Sequence, residues 1–128
     1  MLDLILKIIF IIQYAHARIS SVEKKFLELN RPLPKKFNDV DFDECDELLQ
    51  MALSAQFVIK SSGESLQPHL IIYYLRDIAQ NFHQFYNNVN ILNSDKKHKN
   101  NIMRTLMIVK SIIASSLNLL GIEPLENM

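Results

Sequence analysis

Residues 8–26, "IIFIIQYAHARISSVEKKF", carry apolar side chains at the spacing of an α-helix. Positions three and four residues apart lie on the same side of a helix and together form one apolar face. The pattern predicts one long helix from about residue 3 to Leu29, which "NRPLP" ends because Pro32 and Pro34 cannot continue it. Its expected buried positions are Ile8, Ile12, Ala15, Ile19, Val22, Phe26 and Leu29.

Further helices are predicted along the rest of the chain. Two short ones are expected over about 42–52 and 55–62, and two long ones begin near Pro68 and near Ile102. Gly121 stands where glycine commonly caps a helix C-terminus. The sequence thus predicts an all-α fold, a bundle of about five helices with long first, fourth and last members. The first short helix is expected to bury Phe42, Cys45, Leu49 and Ala52.

The composition agrees with a single domain over residues 1–128. Hydrophobic residues make up 48% and charged residues 22%, as in globular proteins, and two glycines and four prolines are too few for a many-stranded β fold. The formal net charge is zero, so recognition of nucleic acid must come from a local patch. The single cysteine, Cys45, excludes an intramolecular disulfide and zinc sites built on paired cysteines, and it fits a reducing compartment.

The apolar start, "LILKIIFIIQYAHA" at residues 4–17, has some features of a secretory leader. However, Asp3 stands where a leader carries basic residues, and Lys7 interrupts the apolar run. The uninterrupted run is also too short to span a bilayer. We therefore expect no membrane partner and a cytoplasmic location.

Motifs that carry chemistry are scarce. The sequence has no nucleophile elbow, phosphate-binding glycine loop or HExxH pair, and its four histidines have no metal-ligand spacing, so we predict no catalytic residue and no metal site. One alternative remains: Arg76 and His83, seven residues apart on one predicted helix face, resemble the motif of HEPN-type helical ribonucleases. They are otherwise ordinary surface residues, and a helical protein-interaction domain is a further alternative.

A second stripe runs along the first helix about 100° from its apolar face, at Tyr14, Arg18, Ser21 and Lys25. It offers an aromatic ring to stack on a base, a guanidinium for phosphate or a base edge, a hydroxyl and an ammonium. Proteins hold unpaired RNA bases with such groups. By spacing alone, however, a Tyr and an Arg four residues apart are often a stacked surface pair.

Three segments together resemble a known family. "QYAHARISSV" at residues 13–22, the segment 68–92 that ends "NFHQFYNNVNIL", and "LNLLGIEPLENM" at residues 117–128 occur in this order. They are similar to the C-terminal, DALR-type anticodon-binding domain of arginyl-tRNA synthetases, from about Phe10 to Met128.

The resemblance implies a helical bundle that binds the anticodon stem and loop of tRNA-Arg. It places Tyr14, Arg18, Tyr86 and Met128 at the anticodon loop. Two positions depart from the family: Ile11 and Asn90 stand where aromatic residues occur in relatives. The expected tRNA-binding residues are therefore Tyr14, Arg18, Ser21, Lys25, Tyr86, Asn90 and Met128.

The family's catalytic domain is not in this sequence. We expect no arginylation by this chain and no cofactor in it, because ATP and arginine would bind the missing catalytic domain. The expected partners are the tRNA-Arg anticodon stem-loop and that catalytic domain. Self-association is also expected, because apolar residues cover too much of the first helix at Leu4, Ile5, Ile8, Ile9, Ile11 and Ile12.

Overall fold

A computed structural model describes residues 2–29, 32–38, 45–62, 67–89 and 96–128. All regular secondary structure in these ranges is α-helical, which confirms the predicted all-α class. The four helices are α1 (Leu2–Leu29), α2 (Asp46–Ser62), α3 (Pro68–Asn88) and α4 (Lys96–Leu119).

The prediction of about five helices is wrong within the described residues, which contain four. The two short helices expected over 42–52 and 55–62 form one continuous helix, α2, because neither proline nor glycine occurs between Asp46 and Ser62. The inward residue is Leu48, and Leu49 is only half-buried. Phe42 and Asn90 lie outside the described residues.

The helices bury one face each in a shared core. Helices α1 and α2 each pack against both α3 and α4, and the contact between α3 and α4 is less extensive. The predicted stripe of α1 is buried from Ile8 to Phe26, whereas Leu29 is 68% exposed because the helix ends beyond the edge of the core. The fully enclosed large side chains include Ile12, Ile19, Phe26, Leu48, Leu75, Ile78, Phe82, Leu106, Ile113 and Leu117.

The C-terminal turn of α4 redirects the chain. Gly121 has φ +75°, a left-handed conformation that glycine adopts readily. Its N–H donates to the Asn118 carbonyl at 3.0 Å, and the Ile122 N–H donates to the Leu117 carbonyl at 2.8 Å. These two bonds form a Schellman motif, as expected for Gly121, and the segment 122–128 leaves α4 from it.

Two helices are long and apolar enough to cross a membrane by length and composition alone. They are the stretches Asp3–Leu29 and Lys96–Leu119, each with a mean hydropathy of 1.3. Core helices of soluble proteins pass the same test, and both stretches contribute buried residues to the shared core. The two helices are therefore weak evidence for a membrane.

Candidate functional site

Arg18 lies between two tyrosine rings. Its guanidinium carbon is 5.0 Å from the centre of the Tyr14 ring and 4.4 Å from the centre of the Tyr86 ring. Helix α1 supplies Tyr14 one turn before Arg18, and α3 supplies Tyr86 from the neighbouring helix. Both rings attract the cation through their π faces and so help to hold the guanidinium in place.

A histidine completes this cluster. The His83 ring stacks on Tyr14 with centroids 5.4 Å apart and 30° between the planes. Phe82, which is fully buried, lies 5.4 Å from the His83 ring and 5.8 Å from the Tyr86 ring. Tyr14 and Tyr86 thus flank Arg18, His83 stacks on Tyr14, and the buried Phe82 packs against His83 and Tyr86. We call Tyr14, Arg18, His83 and Tyr86 the Arg18 cluster.

Burial lowers the pKa of His83, and the charge of Arg18 lowers it further, while a hydrogen bond with the Ile11 backbone acts in the opposite direction. Because the ordinary histidine pKa of 6.5 is already below neutrality, His83 is mostly uncharged at pH 7. The positive charge of the Arg18 cluster therefore belongs to Arg18.

Two cavities open beside the Arg18 cluster, and both are lined by Tyr14 and Arg18. The smaller has a volume of about 190 Å³. Its walls are Ala17, Ser21, Tyr14 and Arg18 of α1 on one side and the segment 126–128 on the other. The structure therefore brings four of the expected site residues, Tyr14, Arg18, Ser21 and Met128, to one cavity.

The larger cavity is a groove of about 820 Å³ between α1 and α3. Ile11 lines this groove. The aromatic ring that related sequences carry at this position is therefore missing from the groove wall. The α3 wall is rich in side-chain amides, at Gln80, Asn81, Gln84 and Asn87. Sequence reasoning missed these residues because Asn and Gln on a helix usually face solvent. Their spacing of three and four residues could have shown that they share one face of α3.

The other expected site residues are less central. Tyr86 contacts Arg18 but lines neither cavity, and it is half-buried against the core. Lys25 is exposed, lies two helical turns beyond Arg18 and lines neither cavity. Asn90, as stated above, is outside the described residues.

Arg76 and His83 do not form a joint site. The Arg76 guanidinium pairs with Asp77 at 3.1 Å and lies 5.0 Å from the Tyr73 ring centre. His83 is two helical turns away, roughly 10 Å along the axis, and stacks on Tyr14. The geometry therefore gives no support to the ribonuclease alternative. In the described ranges, no three His, Cys, Asp or Glu side chains cluster as metal ligands would.

Comparison with known families gives a match over residues 12–128 to the DALR anticodon binding domain. Arginine–tRNA ligases from Desulforamulus reducens and Vesicomyosocius okutanii are both 34% identical to the chain over 94% of its length. The chain spans only 22% and 21% of these two relatives.

Two solved structures of similar fold are also described as arginyl-tRNA synthetases. A Campylobacter jejuni structure assigned as an arginyl-tRNA synthetase superposes with a TM-score of 0.74 at 28% identity, covering 94% of this chain and 26% of the other. The Thermus thermophilus arginyl-tRNA synthetase also superposes with a TM-score of 0.74, at 24% identity, and so supports the fold alone. This superposition covers 91% of the present chain and 20% of the Thermus thermophilus chain.

Proposed function

The chain belongs to the DALR anticodon binding domain family, and from that premise we propose that it binds the anticodon stem and loop of tRNA-Arg. The observation that carries the proposal is the Arg18 cluster with a cavity on either side of it. Unpaired RNA bases are held by stacking on aromatic rings or guanidinium planes and by hydrogen bonds to their edges. The cluster provides both kinds of contact.

Each part of the site has a distinct role in this proposal. Tyr14, 37% exposed, offers a ring face on which an unpaired base can stack. Arg18 is held in place between two rings and contributes a fixed charge and hydrogen-bond donors toward the RNA. Ser21 and the amides of the groove give neutral hydrogen-bonding groups. Lys25, exposed farther along α1, is placed for a phosphate contact outside the cavities.

The chain acts, in this proposal, as one part of an arginine–tRNA ligase. ATP and arginine bind the catalytic part of such an enzyme, so this chain needs no cofactor for its own role and does not arginylate tRNA alone. We also propose a cytoplasmic location, in keeping with a function in translation. Its contribution is to hold the tRNA by the anticodon while the acceptor end reaches the catalytic part.

Binding is tested by titrating the 128-residue chain with an anticodon stem-loop of tRNA-Arg. A stem-loop with the same stem and a replaced loop sequence is the control. Because the chain has zero net charge, low salt is needed to detect the interaction. Preference for the tRNA-Arg loop supports the proposal, and equal affinity for both loops contradicts it.

Arg18→Ala is expected to weaken stem-loop binding and to lower the slope of log affinity against log salt by about 1, the effect of one lost phosphate contact. The measurement is fluorescence anisotropy at several salt concentrations. Arg104→Ala is the matched control, because the Arg104 guanidinium also lies over an aromatic ring, 6.0 Å from the centre of Phe37, and Arg104 lines neither cavity. If both variants show the same slope of log affinity against log salt, Arg18 does not make the charged contact with the RNA.

The first turns of α1 expose an apolar surface formed by Leu6 and Phe10, which lie four residues apart on one face and are 56% and 59% exposed; Leu4, 56% exposed, points to another side of the helix. Exposed apolar patches favour association. We propose that the rest of the ligase covers this surface in the intact enzyme and that a second copy covers it in the isolated chain.

The isolated chain is therefore expected to sediment as a concentration-dependent dimer, and Leu6→Glu to shift it to monomer. Leu119→Glu, at a 65% exposed leucine at the end of α4, introduces the same charge elsewhere and should leave the dimer intact. A stable wild-type monomer at high protein concentration contradicts this expectation.

A further inference from the structure

The segment 122–128 forms one wall of the smaller cavity, although it belongs to none of the four helices. It leaves α4 at the Gly121 turn, where the Ile122 N–H bonds back to the Leu117 carbonyl. Ile122 packs against the core, and Leu125 is half-buried. The wall can keep its shape only if contacts with other elements hold the residues that follow the turn.

Two side chains of α1 supply such contacts. The Gln13 side-chain amide donates to the Glu123 carbonyl at 3.1 Å. The His16 ring nitrogen Nδ1 lies 2.5 Å from the Leu125 carbonyl oxygen. Because a carbonyl can only accept, Nδ1 must carry the proton and donate it. Both bonds therefore hold the segment against α1 at Glu123 and Leu125, directly before the cavity wall begins at Glu126.

The bond from His16 is the stronger anchor of the two. His16 is 3% exposed, whereas the Gln13 bond is exposed to water. A buried donor or acceptor left without its partner costs far more than an exposed one, which water can satisfy. Releasing the Leu125 carbonyl from His16 would leave the buried His16 Nδ1 donor without this partner.

We propose that His16 is a positioning residue that fixes the segment 122–128 against α1 and so builds the wall of the smaller cavity. Its effect on RNA binding rests on the function proposed above, but its anchoring of the segment does not. His16 itself is buried and is not among the residues that line the cavity. It therefore acts on a ligand only through Glu126, Asn127 and Met128.

The anchoring is tested first without RNA. His16→Phe keeps a buried ring of similar size but cannot donate to Leu125. Backbone ¹⁵N relaxation at Asn127 and Met128 is expected to change from near-rigid order parameters toward values below about 0.6, which mark flexible backbone. Ser61→Ala is the control, because the Ser61 hydroxyl donates to the Phe57 carbonyl within α2 and lines no cavity with residues 126–128. Unchanged order parameters in folded His16→Phe overturn the proposal.

The second test uses the anticodon stem-loop. His16→Phe is expected to weaken binding about fivefold, as for the loss of one ordinary hydrogen bond. In a variant that lacks residues 126–128, the same substitution is expected to cause no further loss. A purely structural role predicts equal losses in both backgrounds, and that result contradicts the positioning role.

Two additional results keep the test decisive. If His16→Phe does not fold, Gln13→Met removes the water-exposed bond to Glu123 instead. A smaller rise in the mobility of residues 126–128 is then expected, and unchanged order parameters there overturn the proposal. If the wild-type chain binds no stem-loop while His16→Phe frees the segment, the proposed function fails and the anchoring stands.

Discussion

Ile19→Ala is expected to lower the free energy of unfolding by about 2–5 kcal/mol, the range for aliphatic residues cut to alanine in a packed core. Ile19 is 0% exposed and lies at the middle of the α1 stripe, which packs against α3 and α4. The lost methyl groups leave a cavity that neighbouring side chains fill only in part. Urea unfolding followed by circular dichroism measures the change.

Leu29→Ala is the matched control for this substitution. The apolar pattern of the sequence assigns Leu29 and Ile19 to the same face, but Leu29 is 68% exposed. Its replacement is therefore expected to change stability by less than about 0.5 kcal/mol, as for most surface substitutions. If Leu29→Ala and Ile19→Ala lose similar amounts of stability, the end of α1 is buried in solution.

At temperatures where Ile19→Ala remains folded, its affinity for the stem-loop is expected to equal that of the unchanged chain.

Tyr14→Ala is expected to have the opposite signature, with stem-loop binding weakened by about 1–3 kcal/mol and little loss of stability. Tyr14 is partly exposed, borders both cavities and stacks on His83, so removing its ring takes away a stacking surface and frees Arg18 on one side. Isothermal titration at low salt, with a thermal melt of the same sample, separates the two effects.

Tyr73→Ala is the control for Tyr14→Ala. Tyr73 is also on a helix surface, 36% exposed against 37% for Tyr14, and it too has an arginine and a histidine as neighbours, Arg76 and His69. It lines neither cavity. Equal loss of binding in the two variants would show that any exposed tyrosine suffices. Early melting of Tyr14→Ala with normal binding would show that Tyr14 only packs.

Local sequence was enough to predict the long helices. Apolar residues three and four positions apart indicate α1, α3 and α4, since helix formation depends on near neighbours in sequence. Pro68 and Gly121 mark helix ends because their backbone preferences act within one turn. Periodicity was not enough for α2, whose buried residues Leu48, Ala52 and Ala55 continue across the expected division, whereas Leu49, predicted to face inward, is half-buried.

The family could also be predicted from the sequence, because three ordered segments carry it and the match covers residues 12–128. The stripe of Tyr14, Arg18 and Ser21 follows from helical spacing alone. Residue types and spacing thus determined which side chains share a face of α1, and that face proved to line the smaller cavity.

Only the tertiary structure decided what meets that face. Tyr86 and His83 reach Arg18 and Tyr14 because α3 packs against α1, and the segment after Gly121 closes the smaller cavity because His16 and Gln13 bind it. Such contacts depend on how the side chains of all helices pack together, which fixes the rotation and spacing of each helix. The α1 periodicity places Lys25 on the same stripe as Ser21, yet Lys25 is exposed and lines neither cavity beside the Arg18 cluster. At that turn of α1 the segment after Gly121 faces Glu23, Lys24 and Leu27 instead, because the packing of the bundle decides which side of the helix the segment meets.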